Sequence, residues 1–265
     1  MIDEKLQAQL CAKYNPEGSH LRQHQLKMLD MLKYFDDFCV KHDIRYWLSS
    51  GNCLGLVRHG GFIPWDDDID VEMLREDYLK LEKVFKETDD YVLQTWKNEK
   101  YYLTPFAKLR DKNTCMKENN VDRNYKYRGV FIDILQIEPS PRIVNKICEY
   151  IRWKCIWPLY SPDNKYKLNI YYLLKQIYFR SIPLVRFMCS WWPNNKMRHT
   201  YGVGWSNNTR NMIDIFPLKR AKFDGVNVFV PHNLDSYLKN IYGDYMKIPS
   251  EKEIPIPHSS EIVYN

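Results

Sequence analysis

No stretch of this sequence stays apolar for the 20 or so residues that a membrane-spanning helix needs. The mean hydropathy of −0.55 likewise argues against an integral membrane protein. The first ten residues are charged and lack an apolar centre, so no signal peptide is expected from them. Paired cysteine spacing is missing too. The seven cysteines (11, 39, 53, 115, 148, 155 and 189) are odd in number, show no CxxC pair and sit mostly in apolar segments. That disfavours a disulfide framework and a cysteine-paired zinc site, and fits reduced, buried thiols in a cytosolic protein. There is no internal repeat and no low-complexity segment. A dense basic block is also absent. The net charge is only +6, from 39 Lys+Arg against 33 Asp+Glu, so nucleic acid is not an expected partner. The mild excess favours phosphorylated metabolites or an acidic membrane face.

What remains is a globular composition, 45% hydrophobic and 27% charged over 265 residues. It suits one large domain, or one domain with an appended subdomain. Aromatics are abundant, with 20 Tyr and 8 Trp, as in proteins that meet sugars, bases or lipid. Apolar residues at helical spacing (Met28, Leu32, Phe35, Cys39) predict a helix over 21–40, and another is predicted over 74–87. Short apolar runs predict strands at 44–48, 91–96, 102–109 and 129–135. Two helices are read at 142–156 and 165–190. Asp224-Gly225 between β-prone runs signals a hairpin, and Asn233 suits a helix cap.

Four aspartates within five residues (66, 67, 68 and 70) ordinarily mark a solvated loop. Here Ile69 and Val71 alternate with Asp68 and Asp70, so a strand would turn both carboxylates to one face. Like charges held together persist when a cation lies between them, and hard oxygen ligands favour Mg²⁺ or Mn²⁺. Asp133 stands alone in an apolar run, where a charge without a partner is costly, and is the candidate third ligand. Upstream, 49–52 forms a glycine turn before a short helix, and backbone N–H groups of such a turn suit phosphate; Gly51 and Asn52 are the candidates.

The stretch from Tyr46 through RHGGFIPWDDDID, ending at Asp70, closely resembles the LicD family, which includes bacterial phosphocholine transferases and is related to fukutin-type ribitol-phosphate transferases. Residues 106–114, 129–135 and 242–246 resemble further family segments, and the similarity spans roughly 20–250. The sequence departs from the family at Asn52 and Cys53, usually Thr and Leu, and in its tail at 254–260. The resemblance implies an α+β fold with a nucleotidyltransferase-like, polymerase-beta-type mixed sheet, helices packed on it and a helical insertion at 142–192, all within one domain over 1–265. It implies transfer of a substituted phosphate, such as phosphocholine, from a CDP-linked donor to a hydroxyl of a cell-surface glycan or its lipid-linked precursor, with release of CMP. Asp68, Asp70 and Asp133 would be metal ligands, with Asp133 also placed to take the acceptor proton; Arg58, Lys108 and Arg110 would contact phosphate. His59 reads as structural, and Phe62 and Trp65 as packing. A nucleotidyltransferase adding NMP, and an inactive glycan- or partner-binding module, are the alternatives.

The 142–192 segment mixes cations with Trp and Tyr. It reads either as an interfacial helix docking on the inner membrane leaflet or as a helical subdomain with an aromatic core.

Overall fold

The computed structural model describes residues 1–118, 125–193, 196–204, 208–254 and 259–264. After a first helix, α1 (Glu4–Tyr14), the predicted amphipathic helix forms as α2, His20–Lys41, with the Ser19 hydroxyl accepting from the Arg22 N–H at its start. Met28, Leu32, Phe35 and Cys39 on its inner face are fully buried. The helix packs across the central sheet.

That sheet is mixed. Its path runs β1 (Trp47–Leu48), β2 (Asp70–Leu74), β6 (Phe131–Pro139), β4 (Ala107–Asp111) and β3 (Tyr91–Gln94), with β7 (Met197–His199) paired to the far end of β6. Only β2 and β6 run parallel; the other pairs are antiparallel. The chain is therefore α+β with a mixed sheet. Between β1 and β2 lies α3 (Ser50–His59), and α4 (Arg75–Val84) follows β2. A separate pair joins β5 (Thr114–Glu118) to β10 (Ser259–Tyr264). The tail residues 255–258 lie outside the described residues.

The Asp224-Gly225 hairpin is present between β8 (Lys219–Phe223) and β9 (Val226–Val230). Both turn residues have positive φ, 47° and 88°, which is the two-residue turn that matches strand twist. After the short α7 (Met212–Ile215), the Asn233 side chain caps α8 (Leu234–Tyr242) by accepting from the Ser236 N–H at 3.2 Å.

Several boundaries differ from expectation. The strand expected from residue 102 begins at Ala107, because Pro105 cannot donate to a ladder. The 44–48 run shrinks to two residues. Of the acidic run only Asp70 lies in β2; Asp68 precedes it. The helix expected over 142–156 is regular only as α5, Arg142–Tyr150. It then widens into π turns over Ile151–Ile156 and ends in a 3-10 turn carrying Pro158, whose ring removes the donor an α-helix would need. Beyond it runs α6, Lys165–Cys189. Among the cysteines, 39, 53, 148 and 189 are buried as expected, while Cys155 is exposed; all seven are free thiols.

The main core lies between the sheet, α2 and the β8–β9 hairpin. A second cluster gathers Leu103, Cys148, Ile156, Tyr171, Tyr178, Phe179 and Tyr201 beneath α5 and α6. Its hub is polar. Lys175 is wholly buried, and its Nζ donates to the carbonyls of Glu99 (2.7 Å) and Lys100 (2.8 Å). Burial lowers the Lys175 ammonium to about 8 from an ordinary 10.5. Between those values the unfolded chain binds more protons than the folded one, so stability rises with pH there. In urea titrations, the advantage of wild type over Lys175→Met should widen from pH about 8 to about 10.5 and stay constant below that window.

Candidate active site

Register partners on neighbouring strands carry their side chains to the same face of the sheet. Asp70 is the partner of Asp133, and on the other edge of β6 Asp133 is the partner of Lys108. Two strands thus set two carboxylates side by side, and a third strand sets a lysine across from them. Lys108 Nζ lies 2.5 Å from Asp133 Oδ1 and 3.2 Å from the Phe131 ring centroid. Asp68 and Asp66 approach from the loop before β2. Burial first, then the charges of Asp68 and Asp133, raise the Asp70 carboxyl well above its ordinary value, with Lys108 opposing. Asp66 is raised in the same way by burial and then by Asp68 and Asp67, opposed by Arg58. The Asp66 Oδ2 atom is buried without a hydrogen-bond partner. Tyr242, at the end of α8, also faces this group: burial, then Asp70 and Asp66, raise its phenol.

The chain leading into the group is held by Asn52. Its amide donates to the Asp68 carbonyl (3.1 Å), and its Oδ1 accepts from the Asp70 N–H (2.6 Å). One buried side chain therefore bridges α3 to the two residues that flank Ile69. Asn52, expected at a phosphate turn, serves as this clamp through its side chain, while its backbone N–H donates to the Ser49 carbonyl (2.9 Å). Gly51 stands in the first turn of α3, where an added Cβ would come 3.5 Å from Asp66 Oδ2. Ser50 opens that helix with a φ of 34°, uncommon for a side chain with a Cβ, and its N–H donates to the Tyr237 hydroxyl.

Two expected phosphate contacts are engaged elsewhere. Arg110 is fully buried: its Nε donates to Gln94 Oε1 (2.9 Å) and its Nη1 to the Gly129 carbonyl (2.7 Å), while its guanidinium stacks on Phe131. Arg58 is 3% exposed and donates to the carbonyls of Tyr245 and Lys247 and to His59 Nε2. Each arginine satisfies backbone carbonyls, a role that spacing in the sequence does not reveal. Of the three cations, Lys108 donates directly to a carboxylate of the group, Asp133, while Arg58 acts on Asp66 through its charge. His59 is structural, as expected: Nδ1 bonds Gln7 Oε1, Nε2 accepts from Arg58, and burial, then Arg58, lower it to about 4. Phe62 and Trp65 pack in the main core.

Glu72 is not among the residues expected at the site. It follows Asp70 on the same face of β2, yet it is wholly buried and saturated. It accepts from Trp47 Nε1, Ser49 Oγ, the Tyr237 hydroxyl and both Nε and Nη2 of Arg210, and it bonds His199 Nε2. Burial alone would raise its carboxyl, but Arg210 and His199 overcome that and hold it well below the usual carboxylate range. The alternation of polar and apolar positions beyond Asp70 was the available signal; Arg210 and His199 are too distant in sequence to have been paired with it.

The donor chemistry suits a hard divalent cation: the aspartates act on one another's charge, and Asp66 Oδ2 is buried without a hydrogen-bond partner. In this arrangement no three His, Cys, Asp or Glu side chains among the described residues are already gathered to hold a metal ion. Lys108 occupies one oxygen of Asp133.

Fold and site together define an α+β protein with an aspartate-rich centre where two parallel strands meet. The LicD/FKTN/FKRP nucleotidyltransferase-domain family matches residues 43–184, and the chain belongs to that family. It is 28% identical over 260 residues to the lipopolysaccharide cholinephosphotransferase LicD of Haemophilus influenzae, covering 91% of this chain and 97% of that protein. An uncharacterized Rickettsia prowazekii protein is 37% identical over 159 residues, 52% of this chain and 59% of its own. The human ribitol 5-phosphate transferase FKRP is 46% identical over 41 residues, 16% of this chain and 8% of that protein.

Glu72→Gln leaves Arg210 buried without its counter-charge and should cost about 3–5 kcal/mol of stability, read from urea unfolding. Asn52→Ala should cost about 1–3 kcal/mol by stranding the Asp70 N–H. A loss below about 0.5 kcal/mol in either would contradict these assignments.

Proposed function

We propose that this chain is a metal-dependent phosphotransferase on a nucleotidyltransferase-like core that spans 1–265, with 142–192 as a helical subdomain. It moves a phospho-substituent, such as phosphocholine, from a CDP-linked donor to a hydroxyl of a cell-surface glycan or its lipid-linked precursor, and acts at the cytoplasmic side. The observation that carries this reading is the register of Asp70 and Asp133 on parallel strands with Lys108 against them. The full-length similarity to a lipopolysaccharide cholinephosphotransferase supports the substrate class.

Asp68, Asp70 and Asp133 would hold Mg²⁺ or Mn²⁺. A bound divalent cation supplies charge neutralisation for the pyrophosphate and for the oxygens attacking and leaving phosphorus. The chain's own residues do the rest. The acceptor hydroxyl oxygen bonds to the phosphorus that bears the substituent, the bond from that phosphorus to the CMP oxygen breaks, and the hydroxyl proton passes to an Asp133 oxygen. Lys108, the cation beside Asp133, is placed to meet phosphate charge once a donor enters. Asn52 keeps the backbone of Asp68 and Asp70 fixed while this happens. Gly51, with no side chain between α3 and Asp66, leaves room beside that carboxylate.

The test is a panel of CDP-linked donors with Mg²⁺ or Mn²⁺, followed by chromatography of the nucleotide product and mass spectrometry of the acceptor. CMP together with an acceptor carrying the phospho-substituent is the expected result. Pyrophosphate release with NMP on the acceptor would instead establish a nucleotidyltransferase. Asp70→Asn and Asp133→Asn should each lower kcat/KM by about 100-fold or more while the thermal midpoint does not fall. Calorimetric titration with Mg²⁺ should show binding to wild type and none to Asp68→Ala. Unchanged turnover and unchanged metal binding would leave only a binding module.

A further inference from the structure

The long helix α6 has two apolar sides. Its inner side, with Tyr171, Tyr178 and Phe179, belongs to the second core. Its outer side presents Tyr166, Ile170, Leu173, Ile177, Leu184 and Phe187, at intervals of three, four and seven along one stripe and each about half exposed or more. Trp191, just beyond the helix, continues the stripe at 79% exposure, with Trp192 beside it. On α5, Ile143, Ile147 and Tyr150, with Ile151 at the start of the π turns, repeat the pattern at helical spacing, again exposed. An apolar surface of this extent calls for an occupant, because ordinary surfaces expose such residues singly.

We propose that the occupant is an anionic lipid bilayer, with α6 lying in the plane of the interface and α5 beside it. Charge decides the choice. Residues 142–192 carry nine Lys and Arg but two acids, so this fifth of the chain holds more than its whole net charge. Lys175 and Arg152 are buried and Arg186 is paired with Glu138. The remaining six bases (142, 146, 154, 165, 167 and 180) are exposed, whereas Asp163 is the one exposed acid of the segment. A second copy of the chain would bring the same bases against this face and be repelled; anionic headgroups would be attracted. Arg180 sits within the stripe, between Ile177 and Leu184, where an interfacial helix lets its long side chain reach the headgroups. Tyr166 at one end of α6 and the tryptophans past the other end are the ring types that favour the headgroup level. No helix of the described residues is long and apolar enough to cross a membrane, so the contact is peripheral. The surface is also separate from the carboxylates: α5 starts nine residues after Asp133, and the intervening β6 carries the chain about 20 Å.

The experiment is co-sedimentation of the full chain with phosphatidylcholine vesicles and with mixed phosphatidylcholine–phosphatidylglycerol vesicles, at low and high salt. It needs no donor or acceptor, so its outcome does not depend on the transfer reading. Wild type should bind the anionic vesicles about 10-fold or more better than the neutral ones, and high salt should weaken that binding. The triple variant Ile170→Ser, Leu173→Ser, Ile177→Ser should lose binding about 10-fold or more while keeping its circular dichroism spectrum and thermal midpoint. Trp191→Ser, a surface change outside the helix, serves as an independent second variant and should weaken binding as well. Absence of binding by wild type, binding indifferent to lipid charge, or full binding by both variants overturns the proposal. So does a dimer in sedimentation velocity that the triple variant dissolves, which would assign the face to a second copy.

Discussion

Two parallel strands cannot slide past one another by a single residue without turning every side chain to the opposite face. In this protein that constraint falls on β2 and β6, where Asp70 is fixed opposite Asp133. The buried alternates on both strands, Val71, Met73, Ile132 and Ile134, make any other register costly, since a slip would drive carboxylates into the core. The hydrophobic core is thus what forces like charges together. Burial first, and then the charges of neighbouring aspartates, raises the carboxyls of Asp70 and Asp66.

One strand carries two acidic residues with opposite fates. Asp70 is part of the crowded group, whereas two residues on Glu72 is closed off by Arg210, His199, Ser49, Trp47 and Tyr237. These partners come from β1, the turn into α3, β7, the following loop and α8. Glu72 therefore ties the back of the site to all five of these parts of the chain. Asn52 does the same for the front, by holding the backbone on either side of Ile69. Rigid support beside a charge-rich group is what a site handling charged substrates requires.

The helical segment after β6 solves a different problem. Its inner face is secured by a buried lysine bonded to two carbonyls and by aromatic packing, among which Trp96 stacks on Phe179 at 4.9 Å. Its outer face keeps its apolar residues exposed. The aromatic core expected at 142–192 lies on the inner side of α6, while a row of apolar residues stands exposed on its outer side.

Local pattern was enough for what depends on neighbours in the chain. The periodicity of Met28, Leu32, Phe35 and Cys39 defined α2, Asp224-Gly225 defined its hairpin, Asn233 its cap, and the segment from Tyr46 to Asp70 the family. Strand limits were less legible, since pairing partners and Pro105 decide them, not the run of apolar residues alone. The destinations of Arg58, Arg110 and Glu72 could not be read at all. A buried charge goes where backbone carbonyls or a counter-ion await it, and those partners lie up to 189 residues away in the chain. Sequence alone determined which residues carry the charge and which elements they ride on. Only the tertiary structure decided which charges are neutralised and which are left crowded, because that depends on distances across strands and not along them.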